Sequence, residues 1–431
     1  MAQLIPIRAL RYATDNGEVS SRIAPPYDVL DEMPKQALLQ RDPHNIVAVD
    51  LPVTPPKTVG PDQAYADAAA LLRRWIDQGV LQRDATPCVY PYEQLYTVDG
   101  RSFRRRGLFG GIGVQPFNQP AGIWRHEHTI KAGTDDRYKL TEATAAQLSP
   151  IFGVFHDPRA HVVSLLEPYF NAEPDARGTT DNDGVEHRLW VVDDAKVIDA
   201  LRSFFQSRDV FIADGHHRYT TALNYHQQHP ESDAAHACLF VLVAVEDPGM
   251  IVLPTHRVVT GLTGFDFDQL EAAIGNHDKL QIRRTEHGAQ ALGELADALG
   301  EAGHHAMGVW DPASGATAIV TARTPDPLAE LTPDKPEVWR ELDVAIVHEL
   351  LIDRVLRPNF GGDAIAYQYT ADLDELPRMT EAQPGRLAVV MQATPLASVT
   401  AVSRAHEVMP PKSTYFYPKL ATGLVVNPLH D

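Results

Sequence analysis

The run Val210-Phe211-Ile212-Ala213-Asp214-Gly215-His216-His217-Arg218 carries an apolar stretch straight into residues that do chemistry. An apolar strand, a turn with glycine and a helix beginning at once would aim unpaired first-turn N–H groups, and the positive end of the helix dipole, at one point. Gly215 lets the backbone approach a ligand closely, Arg218 can hold phosphate oxygens bidentately, and His216 and His217 add donors. Asp214 can hold a magnesium ion or accept the proton of a hydroxyl. The pattern is a phosphate cradle without the GxxxxGK[ST] loop, which occurs nowhere in the chain. The competing reading has Asp214 capping the helix and the histidines satisfying backbone groups. Four functional residue types in succession on an apolar frame favour the site.

Other candidates are spread widely. His126-Glu127-His128-Thr129 would place both imidazoles on one face of a strand and suit a metal; in a loop, Glu127 can instead be the base. The spacing is not that of HExxH. Pro254-Thr255-His256-Arg257 sets hydroxyl, imidazole and guanidinium in succession, although alternation sends His256 to the face opposite Thr255 and Arg257. Lys412-Ser413-Thr414-Tyr415, with Lys419, offers two cations beside hydroxyls. Asp28 stands in the rigid Pro25-Pro26-Tyr27-Asp28 turn, as a ligand or as the closure of an Asx-turn. Asp136 and Arg137 at a helix start are a capping pair or substrate contacts. Arg104-Arg105-Arg106 reads as a solvated run, and Gly107, Gly110, Gly111 and Gly113 as part of a strand rather than a dinucleotide loop. His304-His305 has no carboxylate near it in sequence, and Cys88 and Cys238 read as inert core.

ADGHHRYTTAL, together with APPYDVL, RHEHT, LSPIFG, HRLW, LPTHR and KSTYFYPKLATGLV, resembles the bacterial family catalogued as domain of unknown function 1015, from Ile5 to Val426. The DGHHR turn is similar to the phosphate-binding turn of the ParB/sulfiredoxin superfamily, which includes free L-serine kinases. That resemblance implies a small-molecule kinase transferring a phosphoryl group from ATP, ADP or pyrophosphate, with Mg²⁺, to a metabolite hydroxyl, free L-serine first. In this scheme Gly215, His216, His217 and Arg218 cradle the donor, and His217 also counts among the catalytic groups. Asp214 is base or metal ligand, and Glu127 is the alternative base. Thr255, His256 and Arg257 grip the transferred phosphoryl or a substrate carboxylate, as a similar Thr/His element does in serine kinases. His126, Asp28, Arg137 and Lys412 complete the substrate side. The turn holds no cysteine, which argues against sulfinic-acid reduction. Two other classes stay open: a ParB-like nucleotide-binding switch and a metal-dependent hydrolase using the histidine-rich loops.

The elements that must position these residues read as α+β: mixed sheets with a ParB/sulfiredoxin-like strand-turn-helix core and additional α/β regions. Helices are expected over Glu32–Gln40, Asp62–Gln78, 135–148, 194–207 and from Arg218. Strands are expected over Val89–Val98, Ser102–Val114, Ile151–Phe155, 187–192, 209–213 and 237–245, with Asp99-Gly100 as a hairpin turn. The polar stretch from Pro168 to Gly184 reads as a linker or hairpin tip, and strand-like pieces are expected from Pro410 to Val426. Three regions follow: 1–165 with the β-meander and HEHT loop, 185–260 as the phosphate-binding core, and 261–431 as a C-terminal α/β region packing back on it. A chain of 431 residues, 44% of them hydrophobic, has ample core for two or three domains. Thirty-eight basic against 57 acidic residues give a net charge of −19, which disfavours bulk nucleic-acid binding. The apolar run Cys238–Val245 is far below the roughly 20 residues of a membrane span, and two distant cysteines make no disulfide framework. The expectation is a cytoplasmic protein acting on a small-molecule substrate, with no nucleic acid or membrane partner, and with a homodimer as an allowed assembly.

Overall fold

Asp99 and Gly100 both adopt left-handed backbone, at φ 49° and 72°, the requirement of a type I′ turn. In this computed structural model, which describes residues 2–180, 184–285, 291–381 and 383–430, the turn joins strands Tyr90–Val98 and Arg101–Gly113 in register from Val98↔Arg101 to Tyr90↔Phe109. The second strand is the spine of a nine-stranded mixed sheet. Its order is Ile123–Trp124, Val210–Asp214, Ile151–Phe155, Ala237–Ala244, Arg101–Gly113, Tyr90–Val98, Val185–Leu189 and Ala176–Thr180, with Leu4–Ile5 also on the spine. Gly107 is required there: a Cβ would run into the Leu242 carbonyl of the neighbouring strand.

Among the described residues, seven α-helices fall between Glu32 and Gln228: α1 Glu32–Arg41, α2 Val47–Asp50, α3 Asp62–Asp77, α4 Lys131–Thr144, α5 His161–Phe170, α6 Ala195–Phe205 and α7 His216–Gln228. The Asp194 carboxylate caps α6 by accepting from the Lys196 and Val197 N–H groups, and its apolar stripe, Ile198, Leu201 and Phe205, is buried. These side chains join Leu166, Phe155, Val210, Ile212, Tyr219 and Phe240 in one core cluster. Helix α4 packs on both α3 and α7, so the start of α7 is held from outside the sheet.

The chain divides into two compact units, Met1–Ile251 with Pro418–Asp431, and Val252–Tyr417. The second is built on a six-stranded sheet ordered Leu280–Arg284, Thr317–Ala322, Ala306–Trp310, Leu387–Val390, His256–Thr260 and Ala366–Thr370, with a core around Leu295, Ile319, Leu376 and Val390.

This differs from the three-part expectation. Regions 1–165 and 185–260 share one sheet, because strand 237–244 pairs with 107–113 and with 151–155. The last residues leave the C-terminal region, with Asn427–Pro428 pairing with Ala146–Gln147. Of the two readings of 168–184, linker or hairpin tip, the strand pairing fits the second. Pro168 lies within α5, and Ala176–Thr180 pairs with Val185–Leu189; residues 181–183 lie outside the described residues. Among the described residues near the C-terminus, Tyr415–Tyr417 and Asn427–Pro428 form strands. Helix α4 begins at Lys131, earlier than expected, and α7 at His216, so both histidines of the turn are helical.

The arginine run is not uniformly solvated. Arg104 and Arg106 pair with Glu93 and Glu167, whereas Arg105 is 1% exposed. Arg105 donates to Gln94 Oε1 and to the Pro418 carbonyl (2.6 Å), and lies over the Phe152 ring. Removing a buried, hydrogen-bonded cation orphans both acceptors, so Arg105→Ala should cost about 2–4 kcal/mol. Urea unfolding followed by circular dichroism measures it, and a loss below about 0.5 kcal/mol would contradict the assigned role.

Candidate functional site

Strand Val210–Asp214 is clamped between Ile123–Trp124 and Ile151–Phe155 and delivers Asp214 to the sheet end. Gly215 then takes φ +101°, and a Cβ there would sit 3.0–3.1 Å from the Arg218 guanidinium; no other residue type fits without moving it. Helix α7 begins immediately, directing its first-turn N–H groups at this place. Arg218 donates to the Pro150 carbonyl and stands 3.8 Å from Asp214 Oδ2. The Lys419 ammonium reaches the same oxygen at 3.2 Å. Asp28 pairs with Lys57 at 3.2 Å and shares the field of Asp214, Arg218 and Lys419. Three cations and two carboxylates therefore converge beside the turn.

Burial alone would raise the Asp214 carboxyl, but Lys419 and Arg218 outweigh it and hold the group well below the usual carboxylate range. At Asp28, burial and the Asp214 charge push upward, and Lys57, Arg218 and Lys419 prevail, leaving it lowered. Its Oδ1 is buried without a hydrogen-bond donor, so acceptor capacity remains. Lys57 occupies left-handed backbone at φ 63°, a strain of the kind concentrated at functional sites.

The histidines form the other wall. His217 Nε2 accepts from the Ile130 N–H at 2.9 Å, which leaves the ring proton on Nδ1 as a donor. His216 Nε2 faces the His126 N–H at 3.4 Å, and its Nδ1 is 3.6 Å from Glu127 Oε2. The His126 and His216 rings meet edge-on with centroids 4.7 Å apart. Burial pushes His126 and His217 down to about 4 and His216 well below the ordinary imidazole value. All three are neutral donors and acceptors near pH 7.

Glu127 and the DGHHR turn, 90 residues apart, are thus brought together. The His-x-His expectation fails, because residues 125–129 form a loop in which His126 is buried and His128 exposed. Among the described residues no cluster of three or more histidines, cysteines or carboxylates is arranged for a metal. Arg137 is held in a buried network. It is 5% exposed, bonded to Asp136 (2.9 Å) and to the Asp50 carbonyl (2.7 Å), and stacked 3.9 Å above the Tyr27 ring. Ser149 in turn bonds Asp50, beside the Pro150 carbonyl that anchors Arg218. A small cavity of about 40 Å³ is lined by Asp50, Arg137, Ser149 and Arg218.

Thr255, His256, Arg257 and Lys412 belong to the second unit. There Arg257 is fully buried, donates to the Thr255 and Lys412 carbonyls and lies over Tyr369. His256 Nδ1 accepts from the Met391 N–H at 3.1 Å, and burial lowers it to about 4. Lys412 is exposed. His305 contacts Asp343, 38 residues away, at 3.3 Å. Both cysteines are buried, and burial raises their thiols. Sequence reasoning missed Lys57 altogether and saw Lys419 only as a neighbour of Lys412. Neither position carries a spacing signal that points at Asp28 or Asp214.

The neutral histidines make stability fall with acid. The folded value of His126, about 4, lies below the free value of 6.5, so on acidification the unfolded chain takes the proton first. Its contribution is fully present above pH ~6.5. It is lost as pH falls toward 4, at up to about 1.4 kcal/mol per pH unit. Urea titrations at pH 7 and pH 5 should show the decline, and His126→Asn should reduce its slope by close to one proton's worth. An unaltered slope in that variant would refute the assignment.

A family model described as "Protein of unknown function (DUF1015)" matches residues 4–345. No curated protein matches the chain. Solved structures similar to it include a conserved hypothetical protein from Pyrococcus furiosus, at 13% identity and TM-score 0.33, covering 71% of this chain and 91% of that one. C-terminally truncated SbnI from Staphylococcus aureus follows, at 11% identity and TM-score 0.35, with 72% and 85% covered. A free serine kinase in complex with AMP is similar at 12% identity and TM-score 0.32, with 70% and 88% covered. Among the described residues no helix is long and apolar enough to cross a membrane.

Proposed function

We propose, for a chain that belongs to the DUF1015 family of proteins of unknown function, that it is a small-molecule phosphotransferase moving a phosphoryl group from ATP, ADP or pyrophosphate to a metabolite hydroxyl, free L-serine first. The observation that carries this reading is the gathering of Arg218, Lys419 and Lys57 around the Gly215 turn at the start of α7. Phosphoryl transfer asks a protein mainly to position donor and acceptor and to offset charge, and such a set supplies both.

In this reading Arg218, Lys419, Lys57 and the α7 N–H groups hold the donor phosphates, and His217 Nδ1–H adds a neutral donor. Asp214, kept ionised by two cations, is a weak base; it orients Lys419 and Arg218. Glu127, placed against His216 Nδ1, is the group that takes the hydroxyl proton as the oxygen attacks phosphorus and the donor's bridging P–O bond breaks. The residues also fit a magnesium ion, which binds through one or two carboxylates plus substrate phosphates. Asp28, with its unused Oδ1, and Asp214 would hold it. When bound, the ion neutralises phosphate charge.

The test is ³¹P NMR on the purified chain with Mg²⁺ and L-serine, run separately with ATP, ADP and pyrophosphate. A phosphoserine resonance should grow with one donor. Arg218→Ala and Lys419→Ala should each slow it by about 100-fold or more, the scale for losing one preorganised charge-stabilising donor. Glu127→Gln should lower kcat with little change in donor KM. Donor left intact in every mixture would overturn the transfer reading, and binding without turnover would favour a nucleotide-binding switch.

A further inference from the structure

Among the described residues, the exposed large apolar side chains are Val29, Met33, Val59 and Ile130, at 46%, 83%, 39% and 64% exposure. Single exposed apolar residues are ordinary on a protein surface, and incidental ones would be scattered over the chain. These four lie on three segments that carry Asp28, Lys57 and the backbone N–H bonded to His217. Val29 follows Asp28, and Met33 is in the first turn of α1 immediately after it. Val59 is two residues beyond Lys57. Ile130 precedes α4, and its N–H is held by His217.

The segments are tied together by contacts of their own. Thr54 donates to Glu32, joining the loop that carries Lys57 and Val59 to the first turn of α1. Asp28 and Lys57 pair at 3.2 Å. The Gly133 position in α4 faces Lys57 Cγ at 3.4 Å and the His217 ring at 2.9 Å, measured from where a Cβ would stand. The three segments that carry the apolar side chains are therefore held together beside Asp28, Lys57 and His217.

We infer that Val29, Met33, Val59 and Ile130 form an apolar rim that recognises the organic part of a phosphate ligand, so that the site takes a nucleoside phosphate in preference to an inorganic polyphosphate. This rests on the reading of the turn as a phosphate site. Ligand sites combine apolar walls with a few placed polar groups, and here the polar groups lie at the turn and the apolar ones on the surrounding segments. Branched aliphatic side chains suit a flat ring, and a thioether adapts to one and attracts its edge. A standard protein interface uses roughly 20–30 residues a side, so four side chains around one anion site match a small ligand better than a macromolecule.

Isothermal titration of the full chain with ATP, ADP and pyrophosphate tests this, comparing the native chain with Met33→Ser/Ile130→Ser and, independently, with Val59→Ser. All three positions are surface-exposed, and thermal unfolding checks that the variants fold. The ratio of nucleotide to pyrophosphate affinity should fall about tenfold in the double variant and by a smaller factor in Val59→Ser. An unchanged ratio, whether both ligands are unaffected or both weaken together, overturns the inference. A native dimer that becomes monomeric in the double variant with the ratio kept would make the rim a self-association surface instead. If neither nucleotide nor pyrophosphate binds the native chain, the phosphate reading fails and takes the rim with it. If nucleotide binds with the expected change of ratio but no phosphoryl group is transferred, only the transfer reading fails.

Discussion

One carboxylate, Asp214, is held ionised against its own burial by Lys419 and Arg218, and much of the first unit is arranged to make that possible. A carboxylate without partners in such a place would take up a proton or unfold its surroundings. Supplying the partners requires the chain to return 205 residues later, so that Lys419 can donate to Asp214. Arg218 comes from the first turn of α7, where Gly215 leaves room for its guanidinium. The anchor of Arg218 on the Pro150 carbonyl places the Ser149–Pro150 corner, and through it Asp50 and Arg137, within the same arrangement.

The charges and the histidines divide the work. Positive groups offset phosphate charge, while desolvation keeps buried His126 and His216 and half-buried His217 neutral near pH 7, so that they contribute directed, neutral hydrogen bonds. Neutrality follows from packing: His126 is buried within the 125–129 loop against the His216 ring, and the His217 ring lies against Gly133, where a larger residue would displace it. The same packing fixes tautomers, because backbone N–H groups face one nitrogen of each ring in the turn.

The α+β class and the strand-turn-helix at 210–228 are local properties and were readable as such. An apolar β-rich run meets a glycine that must be left-handed, and a helix-forming stretch follows. Asp99-Gly100 specified its hairpin for the same reason. Arg105 and Arg137 were not readable. Whether a strand arginine faces water depends on which strand lies beside it, and Arg105 met Gln94 and the returning Pro418 carbonyl instead. Arg137, in the middle of α4, met Asp50 from a different helix and so was absorbed into a buried ion-pair network.

What the sequence determined by itself was the identity of the turn, its glycine, its histidines and its arginine, because strand, turn and helix signals act over a few residues. What only the tertiary structure decided was which cations reach the two carboxylates, and how the chain divides into units. Lys57 and Lys419 acquire their meaning from pairs closed across 29 and 205 residues. The nine-stranded sheet joins regions that looked separate, because strand 237–244 pairs with strands from far earlier in the chain. Pairing at such separations is selected by the total burial of the sheet, and no local pattern of residue types records it.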